Sequence, residues 1–117
     1  MDNLEERKER FLREPFDRRL GHLASDLMRI AGFLDNDKNR KAIVVDIMEE
    51  SKFFIEWAAP ESPLHIQELF SEMQSRLALW HRHLLMVKED PEEIKELAKS
   101  ASRWSAQLIQ FSGLLNI

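Results

Sequence analysis

The side chains able to do chemistry in this chain are few, and their spacing excludes most reactions. There are four histidines (His22, His65, His81 and His83) and no cysteine. Disulfides, thiolate metal sites and thiol nucleophiles are therefore excluded, and any metal must be held by His, Asp or Glu. A di-iron helical bundle needs Glu-x-x-His pairs projecting inward, and none occurs. His81 and His83 are the only close pair, and two steps of ~100° along a helix turn them to opposite sides. His81 flanks the apolar face of its segment and Glu50 that of another, so the two could form a buried polar pair. There is no Gly-x-Ser-x-Gly elbow and no glycine-rich phosphate loop. These residues predict a non-enzymatic protein with no cofactor and no metal.

Trp57, Trp80 and Trp104 could line a cavity, but Trp80 and Trp104 fall in register with core leucines, which is the spacing of side chains that fill an interior. Arg18, His22 and Arg29 lie on one helical stripe and could join Arg7, Lys8, Arg10 and Arg13 in a small anion-binding strip. Asp17, Asp26 and the N-terminal glutamates dilute it. Net charge is −4, and residues 42–117 hold seven Lys/Arg against twelve Asp/Glu. A polyanion needs a basic field that releases counterions, so the balance argues against nucleic acid.

The elements that must position these residues are helical. With three glycines, four prolines and no tyrosine there is little to build hairpins, and no segment alternates over a strand's length. Apolar residues instead recur at three- and four-residue steps. The expectation is an all-α, up-down-up-down antiparallel four-helix bundle over 15–117, with helices at about 15–34, 38–58, 63–88 and 91–113, preceded by a charged helix or arm over 1–14. The first stripe is Phe16, Leu20, Leu23, Leu27, Ile30, Leu34. The second is wider: Ile43, Val44, Ile47, Met48, Phe54, Ile55, Ala58. The third is the heptad series Ile66, Phe70, Met73, Leu77, Trp80, Leu84, Val87, with Ser62 placed to cap it. The fourth is Ile94, Leu97, Ala101, Trp104, Leu108, Phe111, Leu115, opened by an Asp90-Pro91-Glu92-Glu93 capping box and loosened at Gly113. Antiparallel register across residues 89 and 90 sets Trp80 level with Ala101 and Leu77 level with Trp104, large against small. Across Asn36 it sets Ile30 near Ile43.

At 117 residues the chain can bury one real core. Seven of its first ten residues are charged, which excludes a signal-peptide core there, and no apolar run approaches the roughly 20 residues of a membrane span. A cytoplasmic protein with no membrane contact is expected.

Apolar residues also occur where water should be. Gly21, Ser25, Met28 and Gly32 line the outer side of the first long helix, and Leu79 and Met86 do so on the third. Val45 and Phe53 are expected to point outward from the second. Repeated outward apolar positions mark association surfaces. The predicted function is a protein–protein interaction module that self-associates, most simply as a homodimer, with Gly21, Ser25, Met28, Gly32, Leu79 and Met86 as interface residues. The competing expectation is a small-molecule- or metal-binding bundle with a site between the second and third long helices, near Glu50, Trp57, Trp80 and His81.

Overall fold

Each apolar stripe winds into an α-helix. The computed structural model describes residues 3–36, 41–85 and 90–113, and no strand occurs among them. Five helices follow in order: α1 (Leu4–Arg13), α2 (Phe16–Asn36), α3 (Lys41–Ala58), α4 (Leu64–Leu85) and α5 (Pro91–Ser112), with a 3₁₀ turn at Ala59–Glu61 between α3 and α4. No helix among the described residues is long and apolar enough to cross a membrane.

The helix ends follow local chemistry. Asn3 caps α1 by accepting from the Glu6 amide at 2.8 Å, with Glu5 and Glu6 in the first turn and Arg10 and Arg13 in the last, each sign at the dipole end that favours it. Asp90 caps α5 by accepting from the Glu92 amide at 3.0 Å. The reciprocal half of the expected capping box is not made, because Glu93 turns to His83 instead. Gly113 closes α5 at φ 76, a left-handed conformation that costs glycine nothing. The Ser62 hydroxyl donates back to the Ala58 carbonyl at 2.8 Å rather than capping the amides of α4.

α2 is the central helix, packing most extensively on α5 and next on α3, while α4 packs mainly on α3. Its residues Leu20, Leu23, Ala24, Leu27 and Ile30 are fully buried. The third stripe is buried from Ile66 to Leu84, and Val87, like Leu115, lies outside the described residues. Paired residues run in opposite order along α4 and α5, Glu72 with Arg103 and Arg76 with Glu96, so these helices are antiparallel. Arg19 with Glu61 and Asp26 facing Glu50 give the same sense for α2 and α3.

Four expectations are corrected. Ile43 is 38% exposed, because its position on α3 shares the azimuth of Glu50, well round the helix from Val44. Phe111 is 39% exposed and touches the His65 ring edge-on at 5.1 Å. Val45 and Phe53 do not point outward: both pack against the core, Phe53 stacking on Trp57 at 5.6 Å. The Trp80 and Trp104 rings touch each other at 5.9 Å, so large meets large at that level.

α1 is fixed to this body at its C-terminal end. Phe11, 5% exposed, stacks on Phe54 of α3 with centroids 4.4 Å apart. Arg19 of α2, almost wholly buried, donates to the carbonyls of Leu12 at 2.6 Å and Glu14 at 2.8 Å and pairs with Glu61. One guanidinium thus closes the open carbonyl end of α1 and ties it to the α3–α4 connection. Arg19→Ala is expected to lower stability in urea denaturation by roughly 1.5–3 kcal/mol, since it strips charge-assisted bonds from the half-buried carbonyls of Leu12 and Glu14, while Leu64→Ala at an open surface changes it by less than about 0.5 kcal/mol.

Candidate functional site

Between α1, α2 and α3 lies an open cleft of about 370 Å³, and the most perturbed polar group in the described structure stands against it. Asp26 follows Leu23 by three residues and precedes Ile30 by four, which puts it on the buried face of α2. It is 5% exposed, and its Oδ2 is buried with no donor beside it. Its Oδ1 stands 3.5 Å from Arg29, and the Glu50 carboxyl of α3 faces it. Arg7 reaches over from α1 to bind Glu50 at 2.9 Å.

Two ionised carboxylates are both acceptors and repel, so this pair bonds only with a proton between them. Burial pushes the Asp26 carboxyl up to about 8; the facing Glu50 adds to the shift, and Arg29 and Arg7 oppose it. Asp26 therefore holds its proton at neutral pH where it faces Glu50, and Arg7 pairs with Glu50 from the other side. A second hollow, lined by Asp46, Ile47 and Glu49, shares Arg7, Arg29 and Glu50 with the cleft. Acids are interleaved with the arginines throughout, so the basic residues of α1 and α2 form no single-sign anion strip.

His22, also on the cleft wall, is exposed. His83 pairs with Glu93 across α4 and α5, and His65 lies against Phe111. His81 is held below the ordinary histidine range by burial first and by Lys52, with Glu49 opposing. Its charged neighbours are thus Lys52 and Glu49, whereas Glu50 faces Asp26 and Arg7. Trp57 packs with Phe11, Phe53 and Phe54, and Trp80 with Trp104. Glu50, Trp57, Trp80 and His81 are therefore spread over different contacts. No group of three or more metal-ligating side chains occurs among the described residues.

The residues expected at an interface fall on two helices. On α2, Met28 is 50% exposed and Ser25 exposed, with Gly21 and Gly32 half-buried beside them; Ser25 also edges the α1 cleft. A Cβ added at Gly32 would meet nothing within 4 Å, so its outer side is open. On α4, Leu79 is 49% exposed, and Met86 lies outside the described residues. Leu79 borders a larger open groove of about 720 Å³ between α4 and α5, along with Arg76, Trp80, His83, Glu93 and Glu96.

Comparison with protein-family models, with curated proteins and with solved structures gives no match for this chain.

Asp26 makes stability depend on pH. Its carboxyl titrates near 3.8 when exposed and near 8 when folded, so the folded state holds the extra proton between these values. Its contribution is fully present below about 3.8 and is lost as pH rises through about 8. Urea midpoints of the wild type are expected to fall from pH 5 to pH 9. Asp26→Asn, which keeps a donor toward Glu50 without a titrating group, is expected to flatten that fall and to exceed the wild type at pH 9.

Proposed function

We propose that the protein works by protein–protein contact rather than by catalysis, and that it associates with copies of itself in the cytoplasm. In this reading α2 to α5 form an up-down-up-down four-helix bundle, α1 braces the α2–α3 seam, and the outer faces of α2 and α4 are available to partners. The observation that carries it is that Met28 and Leu79 each leave half of a large aliphatic side chain in water, at 50% and 49% exposure, on helices whose opposite faces are fully buried. Exposed aliphatic side chains standing beside small residues or a groove mark association surfaces, and symmetric dimers are the commonest assembly of soluble chains. Gly21, Ser25 and Gly32 flank Met28 and would let a second helix approach closely, while the unbranched methionine adapts to an irregular neighbour.

Sedimentation of the purified chain over a micromolar range tests this. The expected result is a rise toward twice the 13.8 kDa of one chain, reversed by Met28→Asp or Leu79→Asp. A monomer at every concentration would end the self-association reading. Gly32→Ala separates folding from contact. With nothing near its Cβ, the change is expected to stabilise the isolated chain by about 0.5–1 kcal/mol; if helix approach at α2 is part of the interface, it weakens association in the same sample.

A further inference from the structure

α4 and α5 are neighbours in sequence yet touch far less than α2 does with α5 or α3. The groove between them has the buried Trp80 at its floor and half-exposed Leu79 on its wall. Polar pairs bridge it: Arg76 with Glu96 at 3.3 Å, His83 with Glu93, and, further along the same two helices, Glu72 with Arg103 at 3.7 Å. The Arg76 guanidinium also lies 5.9 Å from the Trp80 ring centre.

The two walls differ in sign. The α4 wall carries Arg76 and His83 and no acid, whereas the α5 wall carries Asp90, Glu92, Glu93 and Glu96 against Lys95 and Lys99. A basic wall beside an acidic one is self-complementary under a two-fold rotation, because α4 of each copy then meets α5 of the other. A groove of one sign would repel its own copy. The Arg76–Glu96 pair is well exposed, at 44% and 62%, and exposed pairs exchange partners at little cost. Leu79 and the edge of Trp80 supply the apolar centre that such a rim surrounds.

We infer that the α4/α5 groove is the seat of a second copy of this chain, joined about a two-fold axis near Leu79, with Arg76 of each copy paired to Glu96 of the other. This rests on the self-association proposed above and names the contact made on its Leu79 side.

Charge reversal tests the face directly in full-length chains. R76E places an acid opposite the acidic wall, and E96R a base opposite the basic one. Each alone is expected to weaken self-association roughly tenfold, since a two-fold contact repeats the repulsion. An equimolar mixture of R76E and E96R is expected to recover a species of twice the chain mass, because each supplies the charge the other lacks. Both positions are exposed enough for the fold to survive, which circular dichroism checks. If the wild type associates but both single variants match it, or if the mixture stays monomeric, the groove is not the interface and the self-association reading survives on α2, where Met28→Asp decides it. A wild type that is monomeric throughout overturns both.

Discussion

The close seam between α2 and α5 is the constraint from which the rest of the architecture follows. Helix backbones approach only as near as the side chains between them permit, and this seam is lined with small ones. Ala24 and Ala31 on α2, with Ala98, Ala101 and Ser105 on α5, are all buried. The Ser105 hydroxyl donates to the Ala24 carbonyl at 2.7 Å, a side chain-to-backbone bond between helices that requires such proximity. Larger residues on either side then fill the interior as interlocking layers. Drawing α5 onto α2 leaves α4 to pack on α3, and where α4 and α5 face each other two indoles stand between them. The groove beside Leu79 is thus the complement of tight packing on the opposite side.

A second consequence is electrostatic. α2 has buried neighbours on two sides, and its buried arc is wide enough to take in Arg19 and Asp26 as well as the leucines. The two solutions differ. Arg19 keeps its charge and spends it on the carbonyls of Leu12 and Glu14 and on Glu61. Asp26 retains its proton, and Arg7 from α1 pairs with the Glu50 carboxyl that faces it. Both arrangements depend on α1, so the charged N-terminal helix belongs to the folding unit through Phe11, Arg7 and the carbonyls at its end.

The periodic residues of the long helices were legible because a buried face repeats with the helix. Leu20 to Ile30 and Ile66 to Leu84 needed only that period, and Asp90, Pro91 and Gly113 mark helix ends by well-understood backbone chemistry. The candidate cluster was less legible. Asp26 reads as a charge diluting a basic strip when residue type is weighed before position. Its spacing from Leu23 and Ile30, and that of Arg19 from Leu23, was the available signal for burial. That Arg7 would meet Glu50 was not legible, because the direction in which α1 folds back depends on the aromatic stack of Phe11 on Phe54, a contact between segments with no local sequence signature. The outward character of Val45 and Phe53 failed for a related reason: on a helix with several neighbours, the arc opposite one of them faces another.

Small residues carried two meanings on α2, and only geometry separates them. Ala24 and Ala31 are buried and bring a helix of the same chain near; Gly21, Ser25 and Gly32 lie on the adjoining, more exposed arc, where a Cβ added at Gly32 would meet nothing within 4 Å. A chain that uses close approach internally gains nothing for its own fold by repeating small residues outward, and glycine within a helix lowers its stability relative to alanine. Gly32 is therefore a cost to the isolated fold. The half-exposed Met28 and Leu79 are likewise unaccounted for by the interior, since α2 and α4 are amply anchored by their buried faces. Met28, Leu79 and Gly32 are therefore the positions at which the proposed self-association, and not the interior of the single chain, would draw on these side chains.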